Sequence, residues 1–187
     1  MLLLAAALAA GPTLATTEVA GVKFEDKTRL GATELTLNGA GLRTRLMFKV
    51  YAIGLYLPER KTTAETALAA NGPQRIQIVT LRDLTAKQFA EALMESLQHN
   101  NSEAELAAIK PAVDEFKATL LSLEAAPAGA NITIDYAPES GTRLAVNGQP
   151  KGKPIPGEAF RRALLKVWLG SKPVQGDLKD ALLGKGR

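Results

Sequence analysis

Arg43 follows Gly39-Ala40-Gly41 after a single leucine and stands shortly before an aromatic, β-branched run over residues 50–57. A guanidinium set in an apolar cleft can grip a carboxylate through paired N–H donors, or stabilise a phenolate or enolate. Tyr51 and Tyr56 in that run, and Ser96 further on, supply hydroxyls that could share such a cleft. A tyrosine beside an arginine is expected to ionise more readily than usual. Other chemistries find few residues. The chain contains no cysteine, which excludes thiol catalysis, disulfides and cysteine-bound metals. His99 is the one histidine and reads as a helix-end residue complementing the dipole, so no serine has an evident base. Any metal site would have to be carboxylate-rich, and Glu34, Asp83 and Glu95 read as solvated acids without partners at a telling spacing. No cofactor is expected.

The elements that would position Arg43 can be read from periodicity. Asn38-Gly39 is a pair that closes hairpins, because both residues tolerate positive φ. A strand over residues 42–49 would then send Leu42, Thr44, Leu46 and Phe48 to one face and Arg43, Arg45, Met47 and Lys49 to the other. Residues 50–57 read as an interior strand, with Gly54 marking a bulge or a close backbone approach. Earlier strands are expected over residues 19–24 and 33–37, separated by a charged turn at residues 26–29. A short helix over residues 62–70 and a strand over 75–81 follow. Thr85 with Gln88, and Ser102 with Glu105, have capping-box spacing, so helices begin there. Pro111 suggests a kink or a fresh first turn. Strands over 131–136 and 142–146, then a turn at Asn147-Gly148 into a short segment over 151–155, precede helices opened by Pro156-Gly157 and by Asp177. This order implies an α+β domain, one antiparallel sheet with a layer of helices on one face.

The 187 residues are 46% hydrophobic, enough for one domain with a sizeable core. The 23 basic and 19 acidic side chains, net +4, are intermixed and show no basic cluster interleaved with aromatics, which argues against nucleic acid as a partner. Residues 1–15, apolar and ending in small residues, read as a secretory signal cleaved near Ala15. The expectation is export to a bacterial periplasm, a domain over residues 16–187, and no stable membrane insertion once the signal is removed.

The motif GAGLR, followed by FKVYAIGLYLPE, resembles the opening strands of the chalcone isomerase-like family. The resemblance implies an open-faced β-sandwich. It also implies a site, because in the plant isomerases the arginine after the glycine turn anchors a substrate oxygen, and Arg43 matches it. The threonine that organises catalytic water falls at Tyr51. The catalytic tyrosine falls at Phe89 within RDLTAKQF, and the lysine of the preceding strand at Thr80. The helix asparagine falls at Ser96, and the late threonine or serine at Val167 within KVWLG. Phenylalanine cannot relay a proton, and losing these donors removes the means of polarising an oxyanion.

The same resemblance extends to plant fatty-acid-binding members, which keep the arginine for a carboxylate. The function expected is therefore a non-catalytic protein binding a small amphipathic acid at Arg43. Phe89, Leu93, Ile78, Val167 and Trp168 would form its apolar wall. Two alternatives are an isomerase or intramolecular lyase using Arg43 and Tyr51, and a periplasmic assembly protein using the exposed sheet face. No protein partner is identified.

Overall fold

A computed structural model describes residues 15–123 and 125–185. The expected signal, save its last residue, lies outside them. Thr16–Val19 (β1) and Val22–Glu25 (β2) pair as a separate hairpin. Lys27–Leu30 (β3), Thr33–Arg45 (β4), Phe48–Leu57 (β5), Gln74–Thr80 (β6), Asn131–Ala137 (β7), Gly141–Val146 (β8) and Gln149–Ile155 (β9) form a seven-stranded sheet in sequence order. Every neighbouring pair is antiparallel, so the sheet is a meander. The helices are Ala64–Leu68 (α1), Ala86–Asn100 (α2), Glu103–Ala108 (α3), Lys110–Leu121 (α4), Glu158–Leu169 (α5) and Gly176–Leu182 (α6).

Alternation builds the main core. Ile76 and Ile78 of β6, with Ile132 and Ile134 of β7, point to the helical layer, where Leu93, Leu97, Phe116, Phe160, Leu164 and Trp168 meet them. The rings of Phe116 and Phe160 meet edge to face, with centroids 5.4 Å apart. The opposite face of β6 and β7 is polar and carries a bidentate pair, Arg75 to Asp135, at 2.7 Å. Residues 51–57 of β5 form a stretch buried on both faces, because the β1–β2 hairpin covers a second core of Phe24, Leu35, Leu37, Ala52 and Tyr56. That double burial explains its unbroken apolar sequence. Both capping boxes form, at Thr85 with Gln88 and at Ser102 with Glu105, and Pro111 lies in the first turn of α4.

Three expectations fail in the first half of the sheet. The charged stretch read as a turn is mostly β3, while the chain reverses at Ala20-Gly21, both with positive φ. Asn38-Gly39 is no hairpin but a bulge within β4, where the register slips between Leu37 and Gly39. Asn38 is buried and closes the end of α6 by donating to Leu182 O (2.7 Å). Gly39 lets that helix lie on the strand, since a Cβ there would sit 2.1 Å from Ala181 O. Gly54 marks a close approach rather than a bulge, with Phe24 Cδ1 only 2.8 Å from a notional Cβ. Finally, residues 42–49 are not one strand. Leu46 and Met47 turn the chain at φ of 47° and 67°, joining β4 to β5. Left-handed backbone costs roughly 1–2 kcal/mol per residue with a side chain, which is why asparagine and glycine normally hold such turns.

Candidate functional site

A cleft of about 560 Å³ opens at the end of the sheet where β4 turns into β5. Its walls are the β4–β5 hairpin, the loop from Arg82 to Leu84, one side of α2, the end of α5 and the loop through Lys172, Pro173 and Val174. Arg43, Tyr51, Phe89, Ser96 and Val167 all line it. Thr80 does not. Its hydroxyl is buried and donates to Pro127 O at 2.6 Å, tying β6 to the loop ahead of β7. Ile78 faces the main core rather than the cleft, and Tyr56 lies in the second core, where burial pushes its hydroxyl up to about 12.

Arg43 and Tyr51 are cross-strand partners, so their side chains leave the same face of the sheet. Gln175, at the start of α6, fixes the arginine. Its Oε1 accepts from the Thr44 backbone N–H (2.9 Å) and from Arg43 Nη1 (3.2 Å), while its Nε2 donates to Leu42 O (3.2 Å). Arg43 Nη1 also donates to Thr44 O at 2.8 Å. One corner of the guanidinium is thereby held. Among the described residues, Nε and Nη2 have no protein partner, which leaves the edge that suits a carboxylate.

Tyr51 differs from its expected state. Burial pushes its hydroxyl above the usual range and outweighs both the hydrogen bond from Trp168 and the charge of Arg43. The charge of Arg43 alone would make this tyrosine more acidic, but desolvation of a phenolate is the larger effect here. Trp168 Nε1 donates to the Tyr51 oxygen at 3.1 Å, and the tyrosine proton has no acceptor among the described residues. Tyr51 is thus a protonated donor beside Arg43. Ser96 is engaged elsewhere, donating weakly to Val167 O at 3.4 Å. Phe89, Leu93, Val167 and Trp168 give the cleft an apolar wall.

Gln175 escaped the sequence reading, and no local signal marks a residue that acts 132 positions from its partner. Glu95 and His99, read as solvated and helix-capping, also stand on the cleft wall. Neither is oriented by a hydrogen bond to another described residue.

Residues 16–184 match the model of a family described as chalcone isomerase-like. The chain belongs to the chalcone isomerase-like family. Among solved structures, this family member resembles a fatty-acid-binding protein of Arabidopsis thaliana, with a TM-score of 0.66 over 87% of this chain and 92% of that one. The two are 17% identical, so the likeness is one of fold. No curated protein matches the chain by sequence. The family's open-faced β-sandwich is the architecture described above, with a curled antiparallel sheet and helices over one face. The glycines of its GAGLR motif serve helix packing in this member, and its arginine faces the cleft.

Proposed function

We propose that this chalcone isomerase-like protein is an exported, non-catalytic carrier of a small amphipathic carboxylic acid, held head-first at Arg43. The observation that carries this reading is the pairing of donors at one point of the cleft. A guanidinium edge without protein partners stands beside a protonated tyrosine hydroxyl, above an apolar wall. Such a pair suits a carboxylate, and the wall suits its hydrocarbon. The fatty-acid-binding activity of the Arabidopsis structural relative agrees with this chemistry, and the apolar composition of residues 1–10 agrees with export.

An isomerase acting through Tyr51 is less well supported. Its hydroxyl holds its proton more tightly than a free tyrosine, and Glu95 and His99 lack the orienting partner that a general base ordinarily has. An assembly role for the open sheet face is also disfavoured, because that face is polar.

The test is titration calorimetry of the purified chain with decanoate, beside mass spectrometry of small molecules released on denaturation. A charge-assisted hydrogen bond contributes about 1.5–3 kcal/mol, so Arg43→Met should weaken decanoate about tenfold to a hundredfold while leaving the melting temperature near wild type. A wild-type chain that releases no acid and binds none from octanoate to palmitate would end this reading.

A further inference from the structure

The tip of the β4–β5 hairpin is built against the ordinary rules of folding. Leu46, Met47 and Phe48 are 82%, 99% and 60% exposed, three large apolar side chains in a row with little to pack against. Leu46 and Met47 also hold left-handed backbone, which asparagine and glycine would adopt with less strain. Neither burial nor turn geometry accounts for a leucine and a methionine at this turn, which points to a use outside the folded chain.

Charge says what kind of surface suits them. Arg45 and Lys49 bracket the apolar triad along the chain, giving Arg-Leu-Met-Phe-Lys. Arg82 stands over the Phe48 ring, its Cζ 5.0 Å from the centroid, and Lys172 lies across the cleft. Among the described residues none of these four cations is in an ion pair. The nearby carboxylates are Asp83, which accepts the Ala128 N–H at 2.9 Å, and Glu95 on the α2 wall. Apolar side chains at the apex, flanked by unpaired cations, match the layering of an anionic phospholipid surface, with acyl chains beneath phosphate headgroups. Leu46 and Phe48 also line the cleft mouth.

We propose that this tip is an interfacial anchor that docks the cleft mouth on an anionic phospholipid bilayer, so that an acyl chain passes between bilayer and cleft without crossing water. The transfer role rests on the acid-binding reading above; the docking itself does not. Among the described residues no helix is long and apolar enough to cross a membrane, and the anchor is a shallow, reversible one.

The chain has no cysteine, so Met47→Cys can carry a single environment-sensitive fluorophore. Glu139→Cys, exposed between β7 and β8 at the other end of the sheet, carries the control label. Vesicles of phosphatidylcholine with phosphatidylglycerol are added to the full chain, and pure phosphatidylcholine vesicles serve for comparison. The expected result is a blue shift at position 47 only, dependent on the anionic lipid and suppressed as salt rises from about 0.05 to 0.5 M. Met47→Gly, which relieves the strained turn, should keep or raise the melting temperature and bind soluble octanoate as before. It should take a fluorescent fatty acid from vesicles about tenfold more slowly.

No shift at position 47, or equal shifts at both labels, overturns the proposal. A shift produced by raising protein concentration without vesicles also overturns it, and assigns the tip to a second copy of the chain. If position 47 enters the bilayer while no acid binds in solution, the acid-binding reading fails and the anchor stands. If acids bind but position 47 stays in water, the anchor fails alone.

Discussion

Gln175 governs how Arg43 can act. Its amide oxygen holds one guanidinium nitrogen and the Thr44 N–H, while its amide nitrogen is bound to Leu42 O. Removing it frees the arginine to sample other rotamers, so part of the binding energy would go to ordering the side chain again. Gln175→Ala should weaken decanoate by about threefold to tenfold, with a stability loss of about 1 kcal/mol for the lost hydrogen bonds. Gln175→Glu separates positioning from mere packing. It preserves the shape but offers Arg43 a competing carboxylate, so its affinity should fall below that of the alanine variant. Calorimetry on the three proteins checks the order, and a glutamate variant that binds as well as wild type would show that Gln175 does not position Arg43. At this scale the sequence disclosed Arg43, because a motif surrounds it. The state of Tyr51 was not legible, since its tryptophan partner lies 117 positions away and burial is a property of the folded chain.

Helix junctions carry the next prediction. Glu105 accepts from Lys166 of α5 and from the Ser102 backbone N–H in the α3 capping box, which lowers its carboxyl to about 2. The unfolded chain returns it to about 4.5. A carboxylate with a depressed folded value stabilises the protein above its unfolded value, and that contribution is lost as pH falls. The window is therefore from about pH 5 down to about 2. The side chain is about half exposed, so solvent screening keeps the effect small. Glu105→Gln retains the capping geometry but not the charge, and should flatten the fall in melting temperature between pH 6 and pH 3, as thermal melts would record. Glu34 and Glu158, also lowered by cationic partners, leave a residual slope. Capping boxes were legible because the rule is local, a hydroxyl and an amide or carboxylate three residues apart. The reversals of the sheet were less so. Asn38-Gly39 looks like a turn, yet its side chain is drawn into the end of α6 and its glycine is required by that helix. The true turn uses leucine and methionine, which carry no turn signal.

At the scale of the molecule, two cores set the limits of the proposed ligand. The helical layer and the β1–β2 hairpin fill both faces of β5 with side chains, so an acyl chain anchored at Arg43 is confined to the cleft at the end of the sheet. Each buried methylene contributes about 0.8 kcal/mol, close to a fourfold gain in affinity. Affinity should therefore rise steadily through short-chain acids and level off once the chain outgrows the roughly 560 Å³ available. Because the unfolded chain has no cleft, ligand binding also raises stability, by about 2.7 kcal/mol at a hundredfold excess over the dissociation constant. In a chain of this length that is a shift of about 5–11 °C in melting temperature. Melts with straight-chain acids from octanoate to palmitate measure this dependence, and alcohols of equal length supply the decisive comparison. The acids should stabilise far more than the alcohols, and Arg43→Met should erase most of the difference. Equal stabilisation by both would show that the apolar wall holds its ligand without the arginine.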